Sequence, residues 1–207
     1  MQLWLHSDWH WQHDNIYKFT YLDSEGVERR MRERFADARE GDDYIAQRIA
    51  DLVKPSDHVW FLGDMTMHRG NNASLAFIKL MKSLPGHKRL ILGNHDHYHV
   101  SVYVEAGFEK VRASNQLEGI LMTHYPVHPS SIGFKVKANA HGHIHQNNSP
   151  AGKYLNMCVE QTNYEPVPFE DVKTAADKLN VVLEEAKRAA LYAKVVTDVS
   201  GAVMEGP

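Results

Sequence analysis

The sequence predicts an α/β domain, and three observations carry that prediction. Short apolar runs alternate with stretches of helical periodicity. Two of the clearest runs end in glycine followed by an acid or an amide, Gly63-Asp64 and Gly93-Asn94. The chain of 207 residues is 43% hydrophobic and 24% charged, a balance that suits one core of ordinary size.

Taken in order, residues 2–6 read as a buried strand that stops at Ser7-Asp8. Helical material is expected over 27–39 and 42–54. In the second stretch Ile45, Ile49, Leu52 and Val53 fall at helical spacing, Asp42 or Asp43 supplies the cap, and Pro55 ends the helix. Residues 58–62 form a second apolar run. Residues 72–84 read as a helix with Asn71 or Asn72 as its cap and Pro85-Gly86 as its stop, and 89–92 as a third strand. Weaker strands are expected over 108–112, 118–123, 136–141 and 154–159.

From residue 169 the pattern changes. Val172, Ala175, Leu179, Val182, Ala186, Ala190 and Ala193 recur in steps of three and four, with Glu170 and Asp171 at the start and Lys187, Arg188 and Lys194 towards the end. That charge order matches the helix dipole. The expected organisation is a core over 1–168, a C-terminal helix over 169–199 and a flexible tail over 200–207. A helix of that length packs on its own domain or projects from it as a surface for a second copy, so a monomer or a homodimer is expected.

Composition excludes several classes. Lys+Arg total 23 against 26 Asp+Glu, a net charge of -3, which excludes a broadly cationic nucleic-acid wrapper. The lone Cys158 excludes an intramolecular disulfide framework and suits a reducing compartment. No apolar run approaches the ~18 residues of a membrane span. The N-terminal residues lack the basic and apolar regions of a secretion signal, so the cytoplasm is the expected location. Against one cysteine stand 14 histidines.

Five separated segments place chemistry after apolar runs: Asp8-Trp9-His10, Gly63-Asp64, Gly93-Asn94-His95-Asp96, Thr123-His124-Tyr125-Pro126, and His141-Gly142-His143-Ile144-His145. In open α/β sheets the carboxyl ends of strands converge on one crevice. Carboxylate, carboxamide and imidazole donors without thiolate disfavour iron–sulfur clusters and thiolate-rich zinc sites. Seven such donors exceed the needs of one ion with an open position and suit two ions sharing a carboxylate. Gly63 and Gly93, lacking a Cβ, let backbone approach such a site closely.

In their order and type these motifs resemble the calcineurin-like metallophosphoesterase superfamily. The segments His124-Tyr125-Pro126, 155–160 and 164–167 are similar to its small, uncapped bacterial and phage members. Gly63-Asp64-Met65-Thr66-Met67-His68-Arg69-Gly70 and the terminal Asp96 of the third motif depart from the Ser/Thr protein phosphatase branch. The resemblance implies two mixed β-sheets packed as a sandwich and flanked by helices. It assigns Asp8, His10 and His145 to a first divalent ion, Asp64 as the bridge, and Asn94, His124 and His143 to the second. His95 would protonate the leaving oxygen, with Asp96 orienting its imidazole. Manganese is the first choice of ion, with iron, zinc or nickel as alternatives. The implied reaction is hydrolysis of a small phosphodiester or phosphomonoester, nucleotide-like, by a hydroxide shared between the ions. A nuclease acting on exposed nucleic-acid ends and a metal-stabilised, non-catalytic scaffold are the alternatives, although the charge does not indicate nucleic acid.

Other residues carry plainer readings. Trp9 and Trp11 are expected to pack, with stacking on a base as the alternative. Arg29, Arg30, Arg32 and Arg34 are expected on a solvated helix, where one could hold a substrate phosphate. Asn156 is placed to support a ligand imidazole from outside, and Cys158 reads as a small buried apolar residue.

Overall fold

In the computed structural model, which describes the backbone of residues 1–203 and the side-chain surroundings of 1–190, the first apolar run forms β1 (Leu3–His6). A hairpin follows, β2 (Thr20–Leu22) and β3 (Glu28–Arg30), where a helix over 27–39 was expected. The physical reason is local. The Asp23 carboxylate accepts the N–H groups of Glu25 and Val27 and also pairs with Arg29, which folds the chain back as a turn. The next helix, α1 (Ala38–Leu52), starts earlier than expected. Its cap is Asp37, which accepts the Glu40 N–H while Glu40 accepts the Ala36 N–H, a capping box in place of Asp42 or Asp43.

The chain continues through β4 (His58–Phe61), α2 (Asn71–Ser83), β5 (His87–Ile91), the short α3 (Val100–Glu105) and β6 (Phe108–Arg112). Gly70, with no side-chain cap, precedes α2 in place of the expected asparagine. Then come β7 (Ser114–Leu117), β8 (Ile120–Thr123), β9 (Ala138–His141), β10 (Tyr154–Asn156), β11 (Val167–Pro168) and α4 (Phe169–Val203). The helix expected over 169–199 thus includes 200–203. The rest of the expected tail, 204–207, lies outside the described residues.

One sheet has the order β11-β1-β4-β5-β6, parallel except for β11. The other has the order β10-β9-β8-β7, parallel except for β7. Period-two alternation explains how they pack. Along β4, Val59 and Phe61 enter a core with α1, α2 and α3, whereas Trp60 and the following Leu62 enter a second core with Ile120, Met122, Ala138 and Ala140 of the other sheet. The sandwich implied by the resemblance is therefore present. Burying a side chain such as Phe61 or Leu62, each 0% exposed, contributes roughly 1.5–3 kcal/mol.

Among the described side chains, α4 is anchored at its start. Phe169, Val172 and Ala176 enter the inter-sheet core, and the Asn180 amide donates to the Lys137 carbonyl. From Val181 to Ala190 every side chain is exposed except the half-buried Leu183. The side chains after Ala190 lie outside the described residues. At 35 residues it is roughly 50 Å long. No helix among the described residues is long and apolar enough to cross a membrane.

The loop after β1 is tied to α1 by one buried carboxylate. Asp42, 6% exposed, accepts the Trp9 indole N–H at 3.0 Å and the Gln12 backbone N–H at 2.7 Å. Burial pushes its carboxyl up to about 7 from 3.8, against the pull of those donors. The folded chain therefore holds this proton more tightly than the unfolded one. The group's contribution is complete below the unfolded value and is lost as pH rises through about 7. Urea unfolding at about pH 5 and about pH 8 checks this: Asp42→Asn should flatten the loss of stability that the wild type shows between them. Parallel losses in both proteins would contradict it.

Candidate metal centre

The carboxyl ends of β1, β4, β5, β8 and β9 deliver the expected side chains to one place. Asp8, His10 and His145 form one triad and Asp64, His124 and His143 a second; within each, one donor atom from every residue lies within 4.8 Å of the others. His10 joins the two, its Nε2 3.8 Å from Asp8 Oδ1 and 3.5 Å from Asp64 Oδ2. His124 Nε2 stands 3.3 Å from Asp64 Oδ2 and 2.9 Å from Asn94 Oδ1. All seven residues expected as ligands are thus gathered.

The local backbone is unusual. Asp8, His10, Asp64, His143 and His145 have φ of 58°, 55°, 53°, 74° and 50°, in the left-handed region that L-residues seldom occupy. Such conformations persist where surrounding bonds impose them. Here Asp8 N–H donates to the Gly63 carbonyl, His10 N–H to that of Asp64, and His143 N–H to both Asp8 carboxylate oxygens at 3.0 Å. Gly63, φ 103°, has no room for a side chain: a Cβ there would lie 2.5 Å from His124 Nδ1 and 2.8 Å from Gly93 Cα. A Cβ on Gly93 would meet the Asp64 carboxylate. The reading of both glycines as close-approach positions holds.

The donor atoms fit divalent ions. His10 is 2% exposed, yet neither of its ring nitrogens has a hydrogen-bond partner. An imidazole in that state, between two carboxylates, is costly as a neutral core residue and apt as a ligand. His124 Nδ1 lies 2.9 Å from the Leu62 carbonyl, to which it can only donate, so the neutral ring turns the lone pair of Nε2 towards Asn94 Oδ1 and Asp64. Three acceptors then face one another, an arrangement a shared cation resolves. Without one, burial opposes a charged His124, but Asp64, Asp8 and the Leu62 carbonyl outweigh it and push the imidazole up to about 9.

Four groups in the surroundings differ from expectation. Arg32, expected on a solvated helix, is 3% exposed beneath the site with φ 52°. It donates to the Asp8 carbonyl at 2.7 Å, the Trp9 carbonyl at 2.8 Å and Glu160 Oε1 at 2.8 Å, so it holds protein and not substrate. Glu160 in turn lies 3.1 Å from His145 Nδ1. Burial disfavours its charge, yet Arg32 and His145 prevail and hold the carboxyl down at about 2. Neither partner announces the other in sequence, since 128 residues separate them.

Asp96 is the second difference. Its carboxylate does not reach the His95 ring; it accepts the backbone N–H groups of Asp64, Met65 and Gly93 at 2.9, 3.0 and 2.8 Å. It ties the Asp64 loop to the Asn94 loop, and the expectation that it orients His95 is corrected. His95 is placed by Asp64 instead, whose Oδ1 accepts the His95 N–H at 2.8 Å, while the ring Nε2 stands 4.0 Å from Asp64 Oδ2 with 32% of the side chain exposed.

Cys158 is the third. It is buried as expected, but its Sγ sits 3.2 Å from both the His145 N–H and Asp8 Oδ2. Asn156 is the fourth: expected as the outer partner of a ligand imidazole, its amide instead donates to the His145 backbone carbonyl at 2.8 Å, and the His145 ring meets Glu160. Trp9 is fully buried and packs.

Comparison with known proteins agrees with this geometry. The model of the calcineurin-like phosphoesterase family matches residues 1–121, a span that carries Asp8, His10, Asp64, Asn94, His95 and Asp96. The chain is 27% identical over 190 residues to the uncharacterized protein MJ1445 of Methanocaldococcus jannaschii, covering 87% of this chain and 94% of that one. It is 41% identical over 56 residues to the gene 66 protein of Mycobacterium phage D29, 27% of this chain and 28% of that one. Among solved structures, a protein of unknown function from Aquifex aeolicus, AQ665, superimposes with a TM-score of 0.62 at 23% identity, covering 84% of this chain and 98% of that chain, which shows a common fold. With its first three motifs inside the matched span and the later histidines brought beside them by the second sheet, the chain belongs to the calcineurin-like phosphoesterase family.

Proposed function

We propose that this protein hydrolyses a small phosphoester, a nucleotide-like diester or monoester, with two divalent ions held by Asp8, His10 and His145 on one side and by Asn94, His124 and His143 on the other, Asp64 between them. The observation that carries the reading is the pair of buried triads joined through His10. Manganese is the ion proposed first; oxygen and imidazole donors also accept iron, zinc or nickel. Ions bound there supply Lewis acidity towards the phosphoryl oxygens and a water-derived nucleophile near neutral pH.

The protein's own groups supply the rest. His95, at the rim and partly open to solvent, is positioned to give a proton to the departing oxygen, which a poor leaving group needs in order to leave. Asp96 and Arg32 stay out of the reaction and hold the loops that carry the ligands. Next to His10 lies a shallow cleft of about 520 Å³ lined by Gln12, His13, Lys18, His68 and Arg69 among others. Its cations can hold the non-reacting part of an anionic ester.

Two results are expected. After chelation, manganese restores hydrolysis of an aryl phosphodiester, and Asp64→Asn lowers the restored rate at least a hundredfold, on the order of one lost charge-stabilising group (~10²–10³). A metal-loaded wild type that stays inert on diesters and monoesters alike would overturn the enzymatic reading. His95→Ala slows alkyl esters far more than nitrophenyl esters, because only the former need the proton. Equal losses on both would remove His95 from the acid role.

A further inference from the structure

The amino ends of the same sheet gather a second set of donors. The parallel register puts His58, the first residue of β4, opposite His87, the first residue of β5. Glu109 of β6 comes alongside, its Oε1 2.5 Å from His87 Nδ1. The His58 and His87 rings stand 4.8 Å apart, tilted by 39°. One donor atom from each of the three residues lies within 4.8 Å of the others. His58 Nδ1 is buried without a hydrogen-bond partner, although the residue as a whole is only half-buried. His87 and Glu109 are exposed, so the group is open to an ion arriving from solvent.

We propose that His58, His87 and Glu109 form a third metal site, of the kind zinc or copper(II) takes, at the strand ends opposite the candidate catalytic centre. Two imidazoles and one carboxylate make a borderline donor set that suits zinc, copper or nickel and not calcium or magnesium. Three protein donors leave a coordination position for water. The surrounding charges are mixed: Arg89, which lies over the Trp60 ring, opposes an ion at His58, and the acids Glu109 and Asp57 favour one. The site follows from strand register: β4 and β5 each begin with a histidine paired across the sheet, and Glu109, the second residue of β6, enters at the register shift between β5 and β6. None of the three residues belongs to the candidate catalytic centre, so the site is independent of the proposed reaction.

The test is made on the full-length protein, stripped by chelation, equilibrated with zinc chloride and dialysed. Metal counting should find one zinc equivalent more in the wild type than in His58→Ala/His87→Ala, whatever number the catalytic centre holds. In the wild type, titration with zinc should also shift the ring resonances of His58 and His87, a measurement independent of how the variant folds. Glu109→Gln should weaken that response at least tenfold, since even the loss of an outer partner of a ligand costs about 10–100-fold and Glu109 is a direct donor. Equal zinc counts in wild type and variant, or ring resonances of His58 and His87 that stay in place under excess zinc, would overturn the site and leave His87 and Glu109 as an ion pair only.

Discussion

Two carboxylates, Asp8 and Asp64, are 0% and 1% exposed at the meeting point of two sheets, and the rest of the centre is arranged around their charge. Burial works against an ionised carboxylate, and an isolated one would take up a proton. Here the neighbouring imidazoles of His10, His124 and His145 more than reverse that effect, and both groups are held below the usual carboxylate range. Backbone N–H groups add to this, from His143 to Asp8 and from His95 to Asp64. Negative charge is thus concentrated where the imidazoles of His10, His124, His143 and His145 converge. Cations complete such an arrangement, and five of the candidate ligands, Asp8, His10, Asp64, His143 and His145, meet there on left-handed backbone.

Beneath the centre, charge alternates. Arg32 meets the carbonyls of Asp8 and Trp9 and the carboxylate of Glu160, and Glu160 meets His145. Breaking one member of a buried ion pair leaves the other uncompensated, at a cost on the order of 3–5 kcal/mol. The two chain segments that carry Asp8 and His145 are therefore locked together from below, independently of what they bind above. A ligand histidine whose second nitrogen is fixed by a carboxylate has its tautomer and ring direction set, and Glu160 does this for His145 as the Leu62 carbonyl does for His124. Asp96 performs the corresponding task at the other side of the site by gathering three N–H groups from two loops.

The positions of the ligands were legible because each follows an apolar run, and strand ends converge for topological reasons that a sequence expresses directly. Gly63 and Gly93 could be read for the same cause, since only a missing Cβ explains them there. What escaped was whatever depended on partners distant in the chain or on local turn chemistry. The Arg29–Arg34 stretch has helical composition, yet Asp23 turns it into a hairpin, and Arg32 then finds Glu160 on the far side of the fold. The resemblance implied that Asp96 orients His95, but its carboxylate accepts the backbone N–H groups of Asp64, Met65 and Gly93 instead. The start of α1 was open to reading: Asp37-Ala38-Arg39-Glu40 has the spacing of a capping box. The brief β7, α3 and β11 carry too few residues for periodicity to speak.

The account rests on two cations sharing the Asp64 carboxylate, and diffraction from crystals equilibrated with manganese tests that most directly. Anomalous difference density at the manganese edge should show two peaks about 3.5–4 Å apart, one beside Asp8, His10 and His145 and the other beside Asn94, His124 and His143, with Asp64 contacting both. A single peak, or density lying away from Asp64, would contradict it.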